Sequence, residues 1–226
     1  MNSTDSGARV PRKLALLAAI VVAAGIAGAA LIAATVRAPV SPATTSATGP
    51  AGAPAASAPV VKLKPRAGRV LSVADAMKEL DLIRPSRQKL AEDFTLPLTD
   101  GKDFRLADQR GKVVMINFWA TWCSPCLEEM PAMERLWQHH KDQNFVLVAV
   151  SADANPTVVK PFLDRHGLTF PVALDPKLDL GNAYGVRALP SSFIVDRDGN
   201  LAALALGPRP WADDASHSLV EGLLTQ

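Results

Sequence analysis

Apolar positions in this chain follow two periods, and one long stretch has no polar interruption at all. Residues 14–36, "LALLAAIVVAAGIAGAALIAATV", carry no charge and no proline. At about 1.5 Å per residue a helix of this length crosses a hydrocarbon core of about 30 Å, which predicts a transmembrane anchor. Residues 38–60 are uncharged and rich in Ala, Pro, Ser, Thr and Gly. Such a segment buries too little apolar surface to offset chain ordering and reads as part of a flexible linker over 37–70. Within it, "KLKPRAGR" reads as a solvated linker end. "SVADAMKELDLI" predicts a short helix within an extension over 71–90, with Ser72 as N-cap and Val73, Met77 and Leu80 on one face.

From residue 91 to 226, apolar runs of strand length alternate with helical stretches. "FTLPL" and "FRLAD" flank "TDGK" as a hairpin, and "KVVMINFW" and "NFVLVAVS" read as buried strands. A helix between them starts at the cysteines, carries Leu127, Met130, Met133, Leu136 and Trp137 inward, and is expected to kink at Pro131. "NPTVVKPFLDRHG" and "PKLDLGNAYG" predict helices ending at Gly167 and Gly185, on either side of the short strand "FPVALD". "SSFIVDRDGNLAALAL" predicts a hairpin across Asp198-Gly199, and "WADDASHSLVEGLL" a closing helix with Asp213 and Asp214 in its first turn. The pattern implies an α/β domain with a mixed central β-sheet flanked by helices.

Charge adds direction. Arg9, Arg12 and Lys13 precede the apolar run and only Arg37 follows it, so residues 1–13 are expected in the cytoplasm and the remainder outside. In a bacterium this places the folded domain in the periplasm. A signal peptide would have a shorter apolar core, although small residues after the run leave cleavage as the alternative. From residue 61 onward 20 basic side chains face 21 acidic ones. No basic surface recommends nucleic acid as a partner.

The chain has two cysteines, both in "WATWCSPC". A redox couple, half of a metal site and a pair of inert core thiols are all open readings. A structural metal site needs about four ligands, and four histidines scattered along the sequence (His139, His140, His166, His217) do not complete one. Cys123 follows a strand and opens a helix, an exposed position where main-chain N–H groups stabilise a thiolate. Cys126 lies one turn further in, within reach for a short-loop disulfide. In an exported chain, this spacing favours redox chemistry, with no cofactor beyond the Cys123–Cys126 couple and no metal.

"NFWATWCSPCLEEMP" resembles the active-site segment of the TlpA/ResA-like family of membrane-anchored thiol-disulfide oxidoreductases. The likeness extends over about 91–226, including "RALPSSFIVDRDG" and "GPRPWADD", features close to the TlpA branch. The resemblance implies a thioredoxin fold and reduction of cysteines in exported proteins, such as apocytochrome c or copper-site assembly proteins. A DsbD- or CcdA-like membrane protein is the implied electron donor. Cys123 becomes the expected nucleophile and Cys126 the resolving thiol. Pro125, which has no N–H to offer the sulfurs, and Trp122, a flat apolar surface, border the site.

Thioredoxin itself carries a buried Asp where this chain has Asn117, so proton exchange with Cys126 is expected from Glu129, three residues along the helix. Glu128 points elsewhere, to the surface. Pro190, in "ALPSS", matches the family's cis-proline, and Leu189 before it supplies main-chain groups for an extended substrate. Two alternatives stay open: a net oxidant of folding proteins, and a Cu(I)-binding assembly factor using both thiols. The Ser-Pro dipeptide lacks the His of strongly oxidising DsbA-like sites, and the spacing is one residue short of the Cys-x-x-x-Cys of Sco-type copper proteins.

Overall fold

Strand β3 (Val113–Trp119) is buried along its whole length, and the domain is built on both of its sides. A computed structural model describes residues 66–226. The anchor expected at 14–36 and the linker up to residue 65 lie outside the described residues. Among the described residues no helix is long and apolar enough to cross a membrane.

β3 pairs in parallel with β4 (Phe145–Ser151) and antiparallel with β6 (Ser191–Val195). β5 (Val172–Leu174) lies outside β4 in parallel, and β7 (Leu201–Leu206) outside β6 antiparallel, giving the mixed order β5-β4-β3-β6-β7. β1 (Thr95–Pro97) and β2 (Asp103–Arg105) form a separate antiparallel hairpin.

Alternation of side chains along each strand sorts the core into two layers. Val113, Met115, Phe145, Leu147 and Ile194 face one way, against α1 (Val73–Glu79), α2 (Ser124–His140), α3 (Val159–His166) and α5 (Asp214–Leu224). Val114, Ile116, Val148, Val150 and Phe193 face the other, against the hairpin and α4 (Asp179–Ala183). This is the architecture that the resemblance implied.

Local chemistry explains the element ends. Ser72 Oγ accepts from the Asp75 N–H and caps α1, while Gly167 takes a left-handed conformation (φ 64°) that ends α3. α2 runs on through Pro131, whose ring is on the exposed side. Leu127 and Trp137 are half-buried rather than fully inside.

Two expectations are corrected. The extension is helical only over Val73–Glu79; beyond it the chain becomes a strap along β7, bridging Ile83 to Leu204 and Leu90 to Asn200. Pro85 disfavours helical geometry at Arg84 and helps explain the change. The linker end is also not wholly solvated. The Arg66 side chain is 10% exposed and pairs with Asp214 and Glu221 of α5, and the Leu71 N–H donates to Ser218 Oγ.

Candidate active site

The turn between β3 and α2 is held from below before it reaches the cysteines. Asp153, just past β4, is buried and accepts from the Thr121 N–H at 3.0 Å, the Thr121 hydroxyl at 2.6 Å and the Ser151 hydroxyl at 2.8 Å. The Ala152 N–H bonds the Trp119 carbonyl. These bonds join the carboxyl ends of two neighbouring parallel strands, where open α/β sheets bind their ligands.

Cys123 is the N-cap of α2 and Pro125 lies in its first turn. The two sulfurs form a disulfide, with the Cα atoms 5.3 Å apart. Cys126 is fully buried; Cys123 is only 6% exposed, less than its position at a helix start suggested. Its exposed part opens into an apolar groove of about 540 Å³ bordered by Trp122, Pro125, Leu178, Val186 and Leu189. Trp122 is 70% exposed, whereas Trp119 is buried in the core.

The Leu189–Pro190 bond is cis. Leu189 borders the groove, while the Pro190 ring is buried behind it. Main-chain groups of Leu189 make no hydrogen bond among the described residues, which leaves them available to an extended peptide.

Glu129 is 4% exposed on the same helix face as Cys126. Oε1 accepts from Asn117 Nδ2 at 2.9 Å; Oε2 accepts from the Arg209 N–H at 3.0 Å and from Trp211 Nε1 at 2.8 Å. Burial raises its pKa above the ordinary carboxylate value, although all three donors favour the charged form. Glu128 is exposed.

Asn117, Arg209 and Trp211 were not singled out as partners of Glu129. The available signal was "GPRPW", part of the stretch that carries the family resemblance, but no periodicity connects it to residue 129. Asn117 Nδ2 also donates to Ser192 Oγ on β6 at 2.9 Å. Nor are all four histidines scattered. Packing of α2 on α5 brings His139, His140 and His217 together, with one potential ligand atom from each lying within 4.8 Å of the others.

Residues 86–222 match the Redoxin family. The chain belongs to the Redoxin family. Within that family it is similar to the thiol-disulfide oxidoreductase ResA of Bacillus thuringiensis, at 40% identity over 119 residues, 53% of this chain and 69% of the relative. ResA of Geobacillus thermodenitrificans is 39% identical over 127 residues, 56% of this chain and 73% of the relative. A solved structure of a thioredoxin-family thiol:disulfide interchange protein from Chlorobium tepidum is 31% identical, with a TM-score of 0.54 over 62% of this chain and 99% of that one. The chain is a thioredoxin-fold Redoxin of the TlpA/ResA-like group, and a thiol-disulfide oxidoreductase.

Proposed function

We propose that this Redoxin is a membrane-anchored reductase of disulfides in exported proteins, with its folded domain on the periplasmic side. The observation that carries the reading is the Cys123–Cys126 disulfide at the start of α2, with Cys123 open to an apolar groove and Cys126 buried on the Glu129 face. The apolar run at 14–36 supports the anchor, and Arg9, Arg12 and Lys13 before it support the orientation.

In the reduced enzyme the Cys123 thiolate attacks one sulfur of a substrate disulfide. A mixed disulfide forms, and the other substrate sulfur leaves as a thiolate that takes up a proton. Cys126 passes its proton to Glu129 and attacks Cys123 Sγ. The second substrate thiolate is released, and two electrons have moved from the enzyme dithiol to the substrate. The enzyme disulfide that remains is reduced by a membrane dithiol donor of the DsbD or CcdA type. Trp122 and Leu189 hold the substrate chain beside the sulfurs, and the substrates are apocytochrome c or copper-site assembly proteins.

The test is the redox equilibrium of the detergent-solubilised full chain against glutathione. A potential well below about −180 mV, toward the roughly −270 mV of thioredoxin, is expected. A value near the roughly −120 mV of DsbA would replace reductase by oxidant. Cys126→Ser should accumulate mixed disulfides with exported proteins. Cys123→Ser should accumulate none.

A further inference from the structure

Two adjacent histidines close α2 and a third projects from α5 to meet them. The ring centroids of His139, His140 and His217 are 4.6 to 5.0 Å apart, a nearly equilateral triangle. His140 is buried and the other two are half-buried. From Cys123 to His139 the helix rises about 24 Å, so the cluster lies at the far end of α2 from the thiols. The thiol chemistry uses none of these rings.

We propose that His139, His140 and His217 bind one late first-row divalent cation of the Zn2+ class. Imidazole nitrogens suit these metals, and three of them with a fourth position left to water is an established zinc donor set. Tetrahedral bonds of about 2.0–2.1 Å place ligand nitrogens about 3.3 Å apart. His140 Nε2 and His217 Nδ1 are 2.9 Å apart, and candidate atoms from all three residues lie within 4.8 Å of one another. The widest of these separations has to shrink by at most about 1.5 Å to close the set.

His139 Nε2 is the independent observation. It is buried without a hydrogen-bond partner among the described residues, and a buried ring nitrogen is costly to leave unmatched. In the proposed site, a metal held through that nitrogen supplies the partner that packing does not.

The surroundings accommodate positive charge. Both α2 histidines lie in its last turn, where the helix dipole favours a cation. Arg66, the cation acting on His217, is paired with Asp214 and Glu221. Gln143 Nε2 is 3.2 Å from His140 Nδ1. The same amide nitrogen donates to the His139 carbonyl at 2.8 Å, which ties Gln143 to both α2 histidines.

The experiment is calorimetric titration of Zn2+ into the full chain, solubilised in detergent, free of any histidine tag and oxidised so that both sulfurs stay in the disulfide. One Zn2+ per chain with a low-micromolar or tighter Kd is expected, weakened about tenfold or more by His217→Ala and by His139→Ala. Binding that is absent, or equal in both variants and the parent, overturns the site. Circular dichroism without metal checks that the variants fold. Should they not, Co2+ added to the parent chain decides: the visible absorption of tetrahedral Co2+ supports the site and its absence rejects it.

Discussion

The Trp211 indole N–H donates a 2.8 Å hydrogen bond to Oε2 of Glu129, linking the loop before α5 to the carboxyl on the Cys126 face of α2. The contact joins positions far apart in sequence, and both side chains are buried. Trp211→Phe keeps most of the apolar bulk and removes the donor. Loss of a hydrogen bond to a charged group, together with some packing, should lower stability by about 2–4 kcal/mol in urea denaturation. This bond is one of those that lower the Glu129 pKa, so its loss raises that pKa further. The pH profile of disulfide exchange should move toward higher pH. A profile that stays in place while stability falls would make Trp211 a packing residue only.

The same carboxyl gives the oxidised protein a signed pH dependence. Burial is the largest influence on Glu129 and raises its pKa above 4.5. Below pH 4.5 the group is protonated whether the chain is folded or not. As pH rises from there to the folded value, the unfolded chain gives up a proton that the folded chain keeps, so stability falls through that interval and then levels. Glu134 has a lowered pKa and acts in the opposite sense, losing its contribution as pH falls. The difference between parent and Glu129→Gln therefore isolates the residue. Urea midpoints measured across pH should show the parent losing stability relative to the variant above pH 4.5, and an equal slope in both would remove Glu129 as a raised group.

What could be read in the sequence was what local pattern encodes. The uninterrupted apolar run of β3, the left-handed glycine that ends α3 and the Ser72 cap each depend on a few adjacent residues, and the structure has all three. Cys123 and Cys126 were legible because helix geometry alone sets two residues three apart within reach. Arg209 and Trp211 reach Glu129 across about 80 positions, and His217 reaches His140 across 77. Such meetings depend on how helices dock. Periodicity names the buried face of a helix without naming the segment that covers it. Arg66 was misread for the same reason: a basic residue in a polar stretch looks solvated until the Asp214 and Glu221 pair opposite it is known.

Trp122 tests the groove apart from the thiols. Its side chain is 70% exposed, so Trp122→Ala removes few core contacts and should move the melting temperature little. Anchoring aromatics at interfaces commonly contribute about 2 kcal/mol or more to binding. The variant should raise KM for a disulfide-bonded protein substrate by about tenfold or more, while its equilibrium with dithiothreitol stays near that of the parent. A parallel loss with both substrates would place Trp122 in the chemistry rather than in docking.

The seat of α1 on α5 can be tested at one glycine. A Cβ at Gly222 would lie 2.4 Å from Val73 Cγ2, and Val73 packs on the core below. Two effects oppose each other in Gly222→Ala. Helix propensity favours alanine by about 1 kcal/mol, and overpacking disfavours it by about 1–3 kcal/mol. With α1 docked, overpacking prevails and the variant should be less stable by up to about 2 kcal/mol. Val73→Ala clears the contact, so the double variant should recover much of the loss, with a coupling of about 1–2 kcal/mol in a double-mutant cycle. Were α1 undocked in solution, Gly222→Ala alone would stabilise the protein by about 1 kcal/mol and the coupling would vanish. Urea denaturation of the four chains separates the outcomes by the sign of the first substitution.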